Sequence, residues 1–204
     1  MFKFTTILAS IIISSFGLTF AQTTTVNLNK INDQRLQLNR SGMKVLGGWA
    51  AGNIITGGIG MTQSTGNVRY FHQFNLAWNT VNLAIAGLGY FSSQTARSDL
   101  GFAETIREYQ TFENILLVNA GIDVGYIATG AYLRERGLRK ESDRLTGYGQ
   151  SLILQGAFLF TFDLIMFIAS RKQSSDLLKA LDDVTIQTTG ISYKIQFYLD
   201  ILRL

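Results

Sequence analysis

The sequence predicts an all-α membrane protein: an antiparallel bundle of four transmembrane helices with a short β-like C-terminal tail. Hydrophobic residues make up 47% of the 204 residues and charged residues only 16%, whereas soluble domains carry about a quarter charged residues. The apolar residues cluster in four runs, each close to the roughly twenty residues that cross a bilayer. Polar residues inside the runs recur at helical spacing. Repeated alternating strands, which an outer-membrane barrel requires, are not seen in these runs.

The N-terminal residues, 1–21, have the composition of a secretory signal peptide. Lys3 supplies the positive charge, residues 7–20 the apolar core, and Ala21 ends a small-residue cleavage site. Because the apolar core is short for a membrane span, cleavage is favoured over an uncleaved first helix. Residues 22–42 are more polar. Their segment 28–40 is either an interfacial helix leading into the membrane or a loosely ordered lead.

Residues 43–172 are predicted to form the bundle, and its first two spans carry a series of Asn residues. The first span covers 43–61, with Asn53 as its buried polar residue and Gly48 and Gly52 as a pair that allows close helix packing. The second covers 70–91. Its polar residues are spaced 3, 4 and 3 apart and so share one helix face, which must point inward in a membrane. They are His72, Asn75, Asn79 and Asn82.

The third and fourth spans each carry a carboxylate well inside the span. Asn119 and Asp123 share a face of span 112–133, with a GxxxG pair (Gly121 and Gly125) on a neighbouring face. In span 148–170, Gln155 and Asp163 lie two turns apart. We therefore expect a buried polar layer, which is either structural hydrogen bonding or a relay. Its members are Asn53, His72, Asn75, Asn79, Asn82, Asn119, Asp123, Gln155 and Asp163.

The positions of the basic residues predict how the chain is oriented in the membrane. Residues 134–144 hold five Lys or Arg, and short basic loops face the cytoplasm. A signal peptide delivers the mature N-terminus outside, which places the same loop inside after three spans. The prediction is an inner-membrane, multi-pass protein with both mature termini in the periplasm, although Arg35, Arg40 and Lys44 would then lie outside. Ser142 or Asp143 is the expected N-cap of the fourth helix.

The C-terminal residues, 173–204, change character. Ser174 or Ser175 is placed to cap a short amphipathic helix. Residues 191–199 then alternate between apolar and polar, as strands do, and residues 184–187 suit a hairpin partner.

Four stretches of the chain resemble a small family of envelope proteins from Bacteroidota: residues 42–53, residues 69–75 with 78–79, residues 119–126 and residues 155–163. The resemblance spans most of the mature chain. It implies a signal peptide and four membrane helices. The family has no assigned activity, so the resemblance implies no catalytic residue.

Several function classes are disfavoured. The chain has no Cys and one His, so disulfides, metal sites and paired haem ligands are not expected, and no cofactor is predicted. Its basic residues are spread out, which argues against nucleic acid. The expected partners are the lipid bilayer and a membrane protein or a second copy.

The sequence is compatible with three functions. The favoured one is a non-enzymatic structural, assembly or interaction module of the envelope. The alternative is small transport or proton relay through Asp123 and Asp163. An intramembrane aspartic hydrolase is disfavoured, because Asp123 is not in a GxGD motif and the chain has no Pro.

Overall fold

The computed structural model describes residues 27–182, 186–188 and 191–193, with side chains described through residue 178. These residues form α1 (Leu28–Gln63), α2 (Gly66–Thr95), α3 (Phe102–Arg139), α4 (Asp143–Asp182), β1 (Ile186–Thr188) and β2 (Ile191–Tyr193). The two strands pair antiparallel within the segment for which the sequence predicts a β-like tail. The predicted signal peptide, residues 1–21, lies outside the described residues.

Helices α1 and α4 are longer than the sequence predicts. Residues 28–40, expected as a separate interfacial helix or a loosely ordered lead, form the start of α1 without a break. Similarly, the amphipathic helix expected to begin at Ser174 or Ser175 is a direct continuation of α4. The chain has no Pro. A change from apolar to polar side chains does not by itself interrupt the backbone hydrogen bonds of a helix, so both helices continue.

The helix ends use local side-chain and backbone chemistry. Asn27 Oδ1 accepts a hydrogen bond from the Lys30 backbone N–H at 3.0 Å and so caps α1. The turn into α2 places Gly66 at φ +59°, where glycine has no steric cost. Ser142 Oγ accepts from the Leu145 N–H at 3.4 Å, which confirms Ser142 as the N-cap of α4.

The prediction of four helices in antiparallel order is confirmed. Met43 on α1 lies beside Gly89 near the end of α2, whereas Gly57 near the end of α1 lies beside Leu76. The main interfaces join α1 to α2, α2 to α4 and α3 to α4. Helices α2 and α3 lie apart over most of their length. Consequently a cavity separates them.

The closest helix crossings are at glycines other than those singled out in the sequence. A Cβ built on Gly149 of α4 would lie 2.6 Å from the Gly130 carbonyl oxygen of α3, so these backbones touch. By contrast, no atom lies within 4 Å of such a Cβ at Gly48, Gly52, Gly121 or Gly125. The expectation that these two pairs pack tightly within the bundle is therefore wrong, because α1 and α3 turn those faces outward.

The bundle has a polar interior and an apolar surface. Asn75, Asn79 and Gln155 are buried, whereas Leu88 and Phe91 expose 74% and 69% of their surface. Two helices, α3 and α4, are long and apolar enough to cross a membrane. The sequence predicts four such helices. Gly, Asn and Thr residues lower the mean hydropathy of α1 and α2.

Candidate functional site

A closed ring of hydrogen bonds joins α1, α2 and α4 in the middle of the bundle. Trp49 Nε1 donates to Gln155 Oε1 at 3.2 Å, and Gln155 Nε2 donates to Asn75 Oδ1. Asn75 Nδ2 donates to Asn53 Oδ1 at 2.9 Å, and Asn53 Nδ2 returns to the Trp49 carbonyl oxygen at 2.8 Å. We call these four residues the amide ring. Each of its amide groups both donates and accepts, so these polar groups satisfy one another; Asn75 and Gln155 are buried, whereas Trp49 and Asn53 are half-buried.

Two further Asn residues extend this network along α2. Asn79 Nδ2 donates to the Asn75 carbonyl oxygen at 2.8 Å and to Asn75 Oδ1 at 3.2 Å. Asn82 Nδ2 then reaches Asn79 Oδ1 at 3.5 Å. Asn82 lines the cavity between α2 and α3, so a row of buried amides runs from the amide ring to the cavity wall.

Asp123 on α3 and Asp163 on α4 form a carboxyl pair in the same cavity. The two carboxyl groups lie within hydrogen-bonding reach of each other, and the two residues are only 3% and 6% exposed. Two adjacent buried carboxyl groups avoid like-charge repulsion by sharing one proton. Asp123 Oδ2 is buried and receives no N–H or O–H hydrogen bond from the described residues. None of the described residues that line the cavity is basic.

The cavity has a volume of about 450 Å³ and mostly apolar walls. Trp78 of α2 and Tyr126 of α3 meet edge to face, with ring centroids 4.9 Å apart, and join the two helices beside the carboxyl pair. Towards the other end, the walls include Met43, Gly89 and Phe112. The arrangement is a cleft with one acidic wall and a predominantly hydrophobic lining.

The structure does not bring all nine predicted site residues together. Asn53, Asn75 and Gln155 join the amide ring, and Asn79 and Asn82 extend it. Asp123 and Asp163 form the separate carboxyl pair.

The last two predicted residues lie elsewhere. Asn119 is exposed and lines the cavity, so it is not part of a buried layer. His72 packs against Gly60 of α1, and its Nδ1 is buried without a hydrogen bond among the described residues.

A second polar cluster, at the opposite end of the bundle from the 134–144 loop, was not predicted from the sequence. Glu113 of α3 is 4% exposed. Its carboxylate accepts hydrogen bonds from Ser174 at 2.8 Å and Ser170 at 3.3 Å, and forms an ion pair with Arg171 at 3.1 Å. These donors satisfy a charge that would be costly to bury alone.

The same end of the bundle links α1 to α3. Asn32 Nδ2 donates to Thr105 Oγ1 at 2.8 Å, and Arg35 pairs with Glu108 at 3.1 Å. Burial raises the pKa of the nearby Tyr109 to about 12, so its hydroxyl stays protonated at neutral pH. These contacts explain why residues 28–40 are ordered as part of α1.

Two kinds of signal could have identified the missed residues. Trp49 lies one helical turn before Asn53 and therefore on the same face, which would have placed it in the layer. Glu113 stands at the edge of an apolar run, and such an acidic residue needs a donor from another helix. To identify Arg171 as that donor, one must know how far α3 and α4 are shifted along the bundle relative to each other. That shift cannot be predicted from the sequence.

Comparison with known proteins adds a family but no activity. No curated protein and no solved structure was found to be similar to the chain. Residues 45–164 match a family of unknown function, DUF6992. This match covers more than half of the chain and includes the amide ring, the row of Asn residues and both carboxylates. The chain therefore belongs to the DUF6992 family.

Proposed function

We propose that the chain is an integral membrane protein of the cell envelope and that all four helices cross the bilayer. The supporting observation is the position of the charges along the bundle. Residues 45–68, 70–96, 114–133 and 145–170 lie side by side and contain no Asp, Glu, Lys or Arg apart from Asp123 and Asp163. Charged residues are concentrated at the two ends, which matches a hydrocarbon layer about 30 Å thick.

The surface of this uncharged zone supports the same proposal. Its large apolar side chains are exposed, and they come from all four helices: Ile55, Ile59, Val81, Leu88, Ile115, Val118, Ile165 and Ile168. An aqueous solvent would penalise so large an apolar surface, whereas lipid would not. At one end of the zone Lys44 lies over the Tyr90 ring, 5.7 Å from its centroid. Both are residue types that anchor helices at membrane interfaces.

Within the membrane, we favour a structural, assembly or interaction role. The amide ring supports this role because it fixes the register of three helices through neutral hydrogen bonds. The faces that carry Gly121 and Gly125 are open and leave room for a close approach by another helix. A membrane-protein partner or a second copy of the chain is the proposed occupant.

A second candidate function is small transport or proton relay. It is favoured by one observation, the carboxyl pair of Asp123 and Asp163 beside a cavity. Ionisable groups at mid-membrane depth commonly serve ion or substrate pathways.

The proposed location is the inner membrane, with cleavage of residues 1–21 and both mature termini in the periplasm. The basic residues of the 134–144 loop support a cytoplasmic position for that loop. The resemblance to Bacteroidota envelope proteins supports the same cell compartment.

Single-cysteine labelling tests the proposed topology, since the native chain has no Cys. We expect a membrane-impermeant maleimide to label Ala96→Cys in intact spheroplasts, because residue 96 lies in the outer connection. Lys140→Cys should react only after the membrane is opened. Leu88→Cys, on the apolar surface, should react only after denaturation.

The controls separate a peripheral protein from an integral one. Alkaline carbonate should leave the chain in the membrane pellet. Release by carbonate, or labelling of Leu88→Cys as rapid as that of Ala96→Cys, would contradict the four-span proposal.

A further inference from the structure

We propose that the cavity between α2 and α3 binds an apolar organic amine, with its ammonium group against the carboxyl pair of Asp123 and Asp163. This inference rests on the second candidate function above and names the ligand class for it. It is carried by the shape of the cavity, the nature of its walls and the acidic pair at one side, in which Asp123 Oδ2 has no hydrogen-bond partner among the described residues.

The cavity has the dimensions of a small-molecule site. Its volume of about 450 Å³ lies within the range of roughly 300–1,000 Å³ typical of such sites. Helices α2 and α3 do not pack against each other there, and the Trp78–Tyr126 contact marks one end. The space is therefore a feature of how the helices are arranged, rather than a gap left by one small side chain.

The walls of the cavity favour a ligand with a large apolar part, and such a ligand would enter from the lipid. Val81 and Ile85 of α2 face Ile115 and Ile122 of α3 across the cavity. Each of these four side chains is about half exposed on the outer surface. The mouth of the cavity thus lies in the uncharged zone of the bundle, and a ligand dissolved in the bilayer reaches it without passing through water.

The acidic wall selects a cationic head group. The carboxyl pair is more than nine-tenths buried, and Asp123 Oδ2 has no hydrogen-bond donor among the described residues. A pair that shares one proton carries one negative charge, and no basic residue in the described lining offsets it. A single ammonium supplies both the missing charge and the missing donors.

Neighbouring groups suit the same head group. Asn82 uses its Nδ2 to donate to Asn79, which leaves its Oδ1 to accept from an ammonium. Trp78 and Tyr126 also line the cavity, and aromatic faces attract cations. An anionic ligand would instead meet two carboxyl groups, and a sugar would leave most of its hydroxyls against apolar walls.

Binding to the full-length protein in nanodiscs of uncharged lipid tests the proposal. The probes are 4-phenylbutylamine and 4-phenylbutan-1-ol, which differ mainly in the charged head group. Titration calorimetry, corrected with empty nanodiscs, should show at least about tenfold tighter binding of the amine, equivalent to about 1.4 kcal/mol. In the double variant Asp123→Asn/Asp163→Asn, the amine should bind no more tightly than the alcohol.

A steric variant tests the location of the site independently of the acids. Ile115→Trp fills the mouth of the cavity and should abolish binding of both probes. Ile168→Trp is the matched control, because Ile168 is similarly exposed but does not line the cavity. Its affinities should equal those of the unmodified protein.

Three results would overturn the inference: equal affinity of the unmodified protein for amine and alcohol, an amine preference that survives in the folded double variant, or unchanged binding in Ile115→Trp. If the double variant does not fold, as judged by thermal unfolding, two other results decide whether the inference stands. They are the ratio of the unmodified protein's affinities for amine and alcohol, and the binding measured for Ile115→Trp. The cysteine-labelling topology is measured separately. A protein that spans the membrane but shows no amine preference refutes the ligand and leaves the membrane proposal standing.

Discussion

At the scale of single residues, the bundle contains two kinds of polar group. One kind holds helices together, and the other remains available to bind a ligand. The four members of the amide ring use their side chains on one another. Asp123 and Asp163 meet each other but receive no donor from a basic residue in the cavity lining. Buried amides with full hydrogen bonding are typical of structural sites, whereas a buried acid pair without a counter-ion is typical of functional ones.

Replacing Asn75 tests the structural role of the amide ring. Asn75→Leu keeps a similar volume but leaves Asn53 and Gln155 without their central partner. We expect the free energy of unfolding in detergent to fall by about 1–3 kcal/mol, the cost of buried polar groups left unpaired. Asn119→Leu is the control, because Asn119 is exposed, and should change stability by less than about 0.5 kcal/mol. Equal stability of the two variants would contradict a stabilising ring.

At the scale of whole helices, glycines decide which faces meet. Gly130 and Gly149 bring the backbones of α3 and α4 into contact, while Gly121 and Gly125 of the same α3 face outward. All four are glycines within α3 or α4, and the two sets differ in the direction they face. Small residues therefore permit a close crossing but do not determine which of several candidate crossings forms.

A matched pair of alanine substitutions separates these two sets. In Gly149→Ala the new Cβ would lie 2.4 Å from the Arg134 backbone nitrogen, so α3 and α4 must move apart. We expect stability to fall by about 1–3 kcal/mol. Gly125→Ala meets open space and should be neutral or slightly stabilising, since Ala favours helix. Thermal unfolding in detergent compares them. If Gly125→Ala lost stability and Gly149→Ala did not, the assignment of Gly149 to the helix contact and of Gly125 to the open face would be wrong.

The existence and order of the helices could be predicted from the sequence, but their rotations could not. Apolar runs and the 3, 4, 3 spacing of polar residues in α2 predict a helix with an inward polar face, and that face is buried. The sequence predicts that Asp123 faces inward, and the residue is 3% exposed in the structure. Trp49 is not singled out by the sequence, because an indole serves equally well in lipid or in hydrogen bonding. Asn119 is exposed at the cavity, because an Asn at the edge of a cavity satisfies the same periodicity as a buried one.

At the scale of the whole molecule, the two ends of the bundle carry charge in different ways. At one end, Arg35 pairs with Glu108 and Arg171 with Glu113, and each pair has one largely buried partner. At the other end, Arg139 lies 3.7 Å from Glu135 with both side chains more than half exposed, a pair that contributes little stability. The basic residues of the 134–144 loop are thus exposed, and under the proposed membrane topology they are available to set orientation.

Neutralising that loop tests its role in orientation. Changing Arg134, Arg136, Arg139 and Lys140 together to Gln should produce a mixture of two orientations, because positive charge near the membrane directs topology. The readout is partial protection of Ala96→Cys from the impermeant maleimide in intact spheroplasts. Glu135→Gln with Glu141→Gln is the control and should leave labelling unchanged, since acidic residues contribute little to this rule. Complete labelling in the four-site variant would show that orientation is set elsewhere.

The order of the helices has a consequence for biogenesis. Helix α4 is synthesised last and carries both Gln155 and Asp163, so the amide ring and the carboxyl pair are completed by the same helix. Until α4 is in place, Trp49 lacks its acceptor on that helix, and Asp123 lacks its carboxyl neighbour Asp163. A nascent chain stopped before residue 143 would therefore hold both an indole and a carboxyl group without their partners, and adding α4 completes both sites in one step.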